Sequence, residues 1–148
     1  MSISSTINDQ IKQAMLAKDK DRLAALRDIK AKILLEATSG SGTEVSDEVA
    51  IKICQKLFKQ RMETYELYVA QNRSDLANEE LLQAKVIEEF LPQQLTEDEI
   101  KKEIADAIAS LGVSGPQDMG KLMGYLTSKL AGKADGKVIS ALVRAALN

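Results

Sequence analysis

The stretch Leu91-Pro92-Gln93-Gln94-Leu95-Thr96-Glu97-Asp98-Glu99 decides how this chain is built. Proline cannot continue a helix, and it pushes the residue before it towards extended backbone, so Pro92 closes the helix that precedes it. Thr96 and Glu99 then form a capping box. The hydroxyl and the carboxylate each accept a hydrogen bond from a free backbone N–H of the other, and the next helix opens there. A helix stop followed at once by a helix start marks a boundary between two helical bodies. Residues 1–91 are expected as an N-terminal helical subdomain and residues 96–148 as a small C-terminal helical subdomain.

Upstream of that boundary the apolar residues keep helical spacing. Ile3, Ile7, Ile11 and Met15 form one ladder, which predicts a first helix starting near Ser4 or Ser5. Lys18-Asp19-Lys20-Asp21 reads as a polar turn, after which Leu23, Leu26, Ile29, Ile33 and Leu34 are expected inward on a second helix. The short connection allows an antiparallel hairpin. Thr38-Ser39-Gly40-Ser41-Gly42-Thr43 reads as a flexible, exposed connection. Ser46-Asp47-Glu48 supplies a capping hydroxyl and an acidic first turn for a third helix. Its ladders, Val49-Ile53-Leu57 and Ala50-Cys54-Phe58, continue to about Ala70, roughly 37 Å at 1.5 Å per residue. Asn72-Arg73-Ser74 breaks it, with Ser74 as the expected cap of a fourth helix burying Leu76, Leu81, Ala84, Ile87 and Leu91.

Downstream, Ile100, Ile104, Ile108 and Leu111 make the buried stripe of a fifth helix, which Gly112 stops. Ser114-Gly115-Pro116 turns the chain into a sixth helix, and Asp135 caps a seventh that ends near Leu147. There is no convincing internal repeat and no sustained heptad.

Composition agrees with the all-α class. Apolar residues make up 45% of the 148, enough for a core, but aromatics are only 3%, so that core is aliphatic. Good helix formers dominate, and two prolines with few β-branched clusters argue against a sheet. The absence of histidine removes the commonest general base and the commonest metal ligand. The single Cys54 can neither form an internal disulfide nor build a thiolate zinc site. No metal and no cofactor are expected. One unpartnered thiol fits a reducing compartment. No apolar run reaches transmembrane length, and the polar N-terminus does not read as a signal peptide. The expectation is a soluble, cytoplasmic protein without a membrane partner.

Charge and glycine concentrate at one end. Six of the eight glycines lie between Gly112 and Gly136. From Gly112 to Asn148 there are five basic residues and two acidic ones, giving +3, against −2 for the whole chain, so residues 1–111 carry −5. On a helical wheel of the sixth helix, Met119, Leu122, Met123, Leu126 and Leu130 face inward, while Lys121, Tyr125 and Ser128 face out with Gly124 beside them. On the seventh, Val138, Ile139, Leu142, Val143 and Ala146 face inward and Lys137, Ser140, Ala141 and Arg144 face out. Small residues next to basic ones let a phosphate backbone come close. Gly132-Lys133-Ala134-Asp135-Gly136-Lys137 leads into a helix N-terminus, where free N–H groups favour an anion. Tyr125 could stack on an unpaired base. The candidate nucleic-acid-binding set is therefore Lys121, Gly124, Tyr125, Lys129, Gly132, Lys133, Lys137 and Arg144. The plainer alternative is a solvated basic face, with Gly120 and Gly124 serving close helix packing; a charge of +3 alone favours it.

Other candidates are weaker. Lys56, Lys59, Arg61 and Glu63 read as a solvent-facing strip with ion pairs within the third helix. Tyr65 and Tyr68 either close the end of the N-terminal bundle or dock a partner. Cys54 reads as a buried, inert thiol. Glu79-Glu80 and Glu88-Glu89 read as surface carboxylates, with no histidine to support acid–base or metal chemistry.

An ordered set of motifs resembles the YqeY-like family of the GatB/YqeY group. The set is Leu26-Arg27 with Lys30-Ala31-Lys32, Lys59-Gln60-Arg61-Met62-Glu63, Arg73-Ser74-Asp75-Leu76-Ala77, Phe90-Leu91-Pro92-Gln93-Gln94-Leu95, Asp118-Met119-Gly120-Lys121 and Gly132-Lys133-Ala134-Asp135-Gly136. It covers nearly the whole chain. The resemblance implies a multihelical GatB/YqeY-type fold whose second subdomain is similar to the tail of the B subunit of the tRNA-dependent amidotransferase. That tail helps hold the tRNA body, and its features fall here on Gly120, Lys121, Gly124, Gly132, Lys133 and Lys137. The catalytic cradle of that enzyme has no counterpart in this chain.

Three functions follow as expectations. The first is a non-catalytic accessory module contacting tRNA backbone, with tRNA or an aminoacyl-tRNA-handling enzyme as partner. The second is a helical adaptor that binds protein only, through the acidic N-terminal bundle and its Tyr65/Tyr68 end. The third, ranked last because no nucleophile-plus-base or phosphate-loop signature supports it, is a carbon–nitrogen ligase subunit using glutamine as amido donor.

Overall fold

The computed structural model describes residues 2–40 and 44–148. The described residues form seven α-helices and no strand: α1 (Ile3–Ala17), α2 (Lys20–Ser39), α3 (Asp47–Ala70), α4 (Ser74–Glu88), α5 (Glu97–Leu111), α6 (Met119–Lys129) and α7 (Gly136–Leu147). The all-α expectation therefore holds. The chain divides into two compact units, Met1–Leu91 and Pro92–Asn148.

In the first unit Ser2 caps α1, its hydroxyl accepting the Ser5 N–H, so the helix starts one residue before the expected serines. Lys18 closes α1 in the left-handed conformation (φ 56°), and Asp19 opens α2 by accepting the Arg22 N–H. The α1–α2 connection is thus only Lys18 and Asp19, shorter than the four-residue turn expected, because Asp19 already caps α2 and Lys20 and Asp21 lie within it. Ser46 caps α3, and Asp47 at its start also accepts the Ile3 N–H at 2.9 Å, tying the beginnings of α1 and α3 together. The core of this unit gathers Ile7, Leu26, Ile29, Cys54, Leu57 and Ile87 from all four helices. Every one of them is aliphatic or a thiol, as the low aromatic content requires.

Several expectations need correction here. Met15 and Leu34 are 54% exposed, because Ala14 and Ile33 beside them take the buried positions and leave them on the flank of the covered stripe. Thr38 and Ser39 belong to the last turn of α2, their hydroxyls donating to the Leu35 and Glu36 carbonyls, and are not part of a flexible connection. The same expectation for Ser41, Gly42 and Thr43 lies outside the described residues. Ser74 is the first residue of α4 and not its cap; Arg73 stands at that position without a side-chain capping bond. The helix ends at Glu88, four residues before Pro92, and Phe90 and Leu91 continue in turns. Leu76, Leu81 and Leu91 are only partly covered, while Ala77, Gln83 and Val86 are buried instead.

In the second unit the capping box is complete. Thr96 Oγ1 accepts the Glu99 N–H, and Glu99 Oε1 accepts the Thr96 N–H at 2.9 Å. These bonds hold the Glu99 carboxyl below the usual carboxylate range. Gly112 ends α5 in the left-handed region (φ 66°), as a C-terminal glycine should. Pro116–Asp118 make one 3₁₀ turn into α6. Asp135 caps α7 through the Lys137 N–H. Ile100, Ile104, Leu122, Leu126, Ile139 and Val143 fill the core between α5, α6 and α7. Val138 and Ala146 were expected inward but lie exposed, Val138 at 40%, because α7 turns only a narrow stripe to its two neighbours.

Candidate nucleic-acid interface

The outward side of α6 is set by what its inward side buries. Leu122 and Leu126 are fully covered, which forces Lys121 and Tyr125 to the surface one residue behind them. Lys121, Tyr125 and Lys129 are spaced by four and so form one ridge along the helix. Gly120 and Gly124 lie beside that ridge and are exposed. A Cβ added at either would meet nothing within 4 Å. Among the described residues, then, neither glycine serves close helix packing. Gly124 in a helix interior costs about 1 kcal/mol relative to alanine, and no contact of the described residues recovers it.

Lys129 is not a free cation. Its ammonium lies 3.0 Å from Glu103 Oε2 on α5 and 5.7 Å from the centroid of the Tyr125 ring. Glu103, then Tyr125, raise its pKa above the ordinary lysine value. Tyr125 in turn has its ring partly covered by this ammonium, with 37% of the residue exposed.

The basic loop before α7 is held from the start of the unit. Gln94 Nε2 donates to the Gly132 carbonyl at 2.7 Å and to the Pro92 carbonyl at 2.9 Å, and the Leu95 N–H donates to the Lys133 carbonyl at 2.9 Å. Gly132 itself is buried with φ 77°, a conformation glycine adopts without strain, so its part is to shape the loop rather than to offer surface. Lys133 and Lys137 are exposed. Lys137 and Arg144, seven residues apart, share one side of α7. The anion expected at the N-terminus of α7 is in fact the chain's own: Asp135 Oδ1 accepts the Lys137 N–H at 3.0 Å.

The structure thus brings Tyr125 and Lys129 into contact and leaves Lys121, Lys133, Lys137 and Arg144 at the surface without an ion pair among the described residues. Sequence reasoning missed Glu103 and Gln94. No local signal marks Glu103, because its lysine partner comes from another helix. Gln94 offered one: a polar amide in a short proline-bounded stretch has donors to spend on neighbouring carbonyls.

Elsewhere, Arg61 does not pair within its own helix as expected. Its guanidinium bridges Asp28 of α2 at 3.3 Å and Glu80 of α4 at 3.2 Å, in a depression also lined by Gln60 and Thr64. Glu79, Glu88 and Glu89 are exposed, as expected of surface carboxylates, with Glu89 pairing Arg22 at 2.8 Å, while Glu80 is partly covered against Arg61. Cys54 is fully covered, and burial pushes its thiol up to about 11. No group of three or more potential metal ligands is assembled among the described residues, and no described helix is long and apolar enough to cross a membrane.

The family model of YqeY-like proteins matches residues 4–147. The chain belongs to the YqeY-like family. Two curated relatives are similar to it. The mitochondrial altered inheritance of mitochondria protein 41 of Lachancea thermotolerans is 26% identical over 114 residues, covering 76% of this chain and 61% of the relative. The protein of the same name from Vanderwaltozyma polyspora is 31% identical over 85 residues, covering 57% of this chain and 46% of the relative. The YqeY-like chain therefore spans about half to three-fifths of the length of these relatives. Both are mitochondrial proteins by name, which overturns the cytoplasmic location expected from the sequence. The physical reason is plain in the structure. A single thiol that is fully covered is protected from oxidants in any compartment, so Cys54 carries no information about location.

Proposed function

We propose that this YqeY-like protein is a non-catalytic accessory module that holds tRNA by its sugar–phosphate backbone through the outward faces of α6 and α7. The observation that carries the reading is the α6 surface. Two glycines leave the helix backbone open beside the exposed Lys121, and nothing among the described residues lies within 4 Å of a Cβ built there. A phosphate backbone is a partner whose charge suits the lysines and whose close approach suits the glycines. Lys133, Lys137 and Arg144 extend the positive surface. Recognition of this kind reads shape and charge more than base sequence. The similarity to the amidotransferase tail is part of this proposal and points to tRNA among the nucleic acids.

The test is a titration with total tRNA at low and moderate salt, using the wild type and the folded triple variant K121E/K133E/K137E. Each lost phosphate contact should flatten the dependence of log affinity on log salt by about 0.7–0.9, so the variant should lose about 2–3 in slope. Equal affinity for both proteins would remove this surface from consideration.

A second reading, a helical adaptor for protein, is favoured by one specific feature. A depression of about 340 Å³ between α5 and α7 is lined by Ile104, Ala105, Ile108, Leu142 and Ala146, with Lys101 at its edge. Capture of a protein that survives nuclease treatment and is lost on A105E would support it. Amide transfer by the isolated chain, abolished by one substitution, would displace both readings.

A further inference from the structure

The reach of the α6 face depends on whether Lys129 can leave Glu103, and the geometry says it leaves reluctantly. Lys129 is the last residue of α6 and Glu103 lies mid-way along α5, so the contact joins two helices. Glu103 Oε2 is shut off from solvent and makes no well-angled hydrogen bond; the Lys129 ammonium at 3.0 Å is the positive charge that meets it. The Tyr125 ring, 5.7 Å from the same ammonium, adds a second attraction. A carboxylate oxygen and a phosphate oxygen are interchangeable partners for an ammonium. Any phosphate that takes Lys129 must therefore displace Glu103 and leave a partly exposed carboxylate without its counter-charge.

We infer that Glu103 is a built-in competitor for Lys129, which keeps this lysine out of the contact with polyanions and sets the grip of the α6–α7 face weak and reversible. The inference rests on the nucleic-acid reading proposed above. It makes Glu103 a residue that limits affinity, and it predicts that the wild-type face meets phosphate through Lys121, Lys133 and Lys137 while Lys129 stays with its carboxylate.

The experiment compares total-tRNA binding across 20–200 mM salt for wild type, E103Q, E103Q/K129A and D106N. Asp106 is an exposed acid on the same helix, so D106N makes the same change in net charge without touching Lys129. Freed Lys129 should steepen the salt dependence of E103Q by about 0.7–0.9, the slope of one added phosphate contact. A fourfold rise in salt would then weaken E103Q about threefold more than wild type. The double variant should return to the wild-type slope, and D106N should not steepen it. An E103Q slope equal to that of D106N, or one that survives K129A, overturns the inference while leaving the nucleic-acid reading intact. Absence of binding by wild type and E103Q alike overturns the nucleic-acid reading and the inference with it. A measurement on the wild type guards against misfolding of the variants: in lysine ammonium NMR at tRNA saturation, Lys121 and Lys133 signals should shift and Lys129 should not. Movement of Lys129 with the others refutes the competition.

Discussion

Replacing Gly124 by alanine separates what α6 needs for its own stability from what a partner needs of it. The added methyl group meets nothing within 4 Å, and Gly124 lies in the helix interior, so no clash opposes the change. The substitution should then yield the full helix-propensity difference, about 1 kcal/mol of added stability. The second unit covers residues 92–148, and in a domain of that size 1 kcal/mol moves the melting midpoint by about 4–8 °C. Adding G120A, in the first turn of α6, should bring a smaller further gain. Binding should move the other way. If a phosphate backbone lies against this surface, two new methyl groups must be forced into a close contact. At about 1–3 kcal/mol for such overpacking, affinity for tRNA should fall roughly 5- to 150-fold. Thermal unfolding followed by circular dichroism and a tRNA titration of the same preparation give both numbers. A more stable protein with unchanged affinity would refute the idea that the glycines keep the surface open for a partner. A protein that gains no stability would refute the argument that none of the described residues uses the space.

Three other outcomes follow from the packing. R61A leaves Asp28 and Glu80 facing each other without their shared cation in a partly covered depression, and should cost about 2 kcal/mol in urea unfolding; D28N/E80Q on that background should recover part of it. Q94A removes two hydrogen bonds to the Pro92 and Gly132 carbonyls, about 1–2 kcal/mol, and should speed hydrogen exchange at the Leu95 amide before the amides of α5. Cys54 should resist a thiol reagent at pH 8 in the folded protein and react on unfolding. Because its folded pKa of about 11 lies above the ordinary 9.0, its contribution to stability is complete below pH 9 and is lost as pH rises towards 11. That loss, about 2–3 kcal/mol, should be absent from C54A.

The caps were the most legible part of this fold. Ser46, Thr96, Gly112 and Asp135 act where the sequence places them, because a cap is a contact within four residues and needs no tertiary partner. The inward residues of α5 and α6 were legible in part: Ile100, Ile104, Leu122, Leu126 and Leu130 are buried, while Ile108, Leu111, Met119 and Met123 at the flanks and ends of the stripes are only partly covered. Periodicity failed at Met15, Leu34, Val138 and Ala146, since it identifies the apolar side of a helix but not how wide a stripe of that side the neighbours cover. Ser74 failed because serine serves equally well in the first turn of a helix as before it. Among the candidate site residues, exposure of Lys121 and Lys137 could be read from a wheel. The capture of Lys129 by Glu103 and of Arg61 by Asp28 and Glu80 could not, since those partners lie 19 to 33 positions apart in three of the helix pairings the fold creates.

The bonds from Gln94 and Leu95 to Gly132 and Lys133 span 38 residues of sequence and close the second unit into a loop at the point where the chain enters it. That closure has a mechanical meaning. Tension arriving along the chain at Pro92 is not passed first to the beginning of α5. It is divided at Gln94 and delivered sideways to the turn that carries Lys133. A load on the connecting segment would therefore be felt at the basic loop before any helix of the unit is strained, and a load on that loop would be felt at the connection.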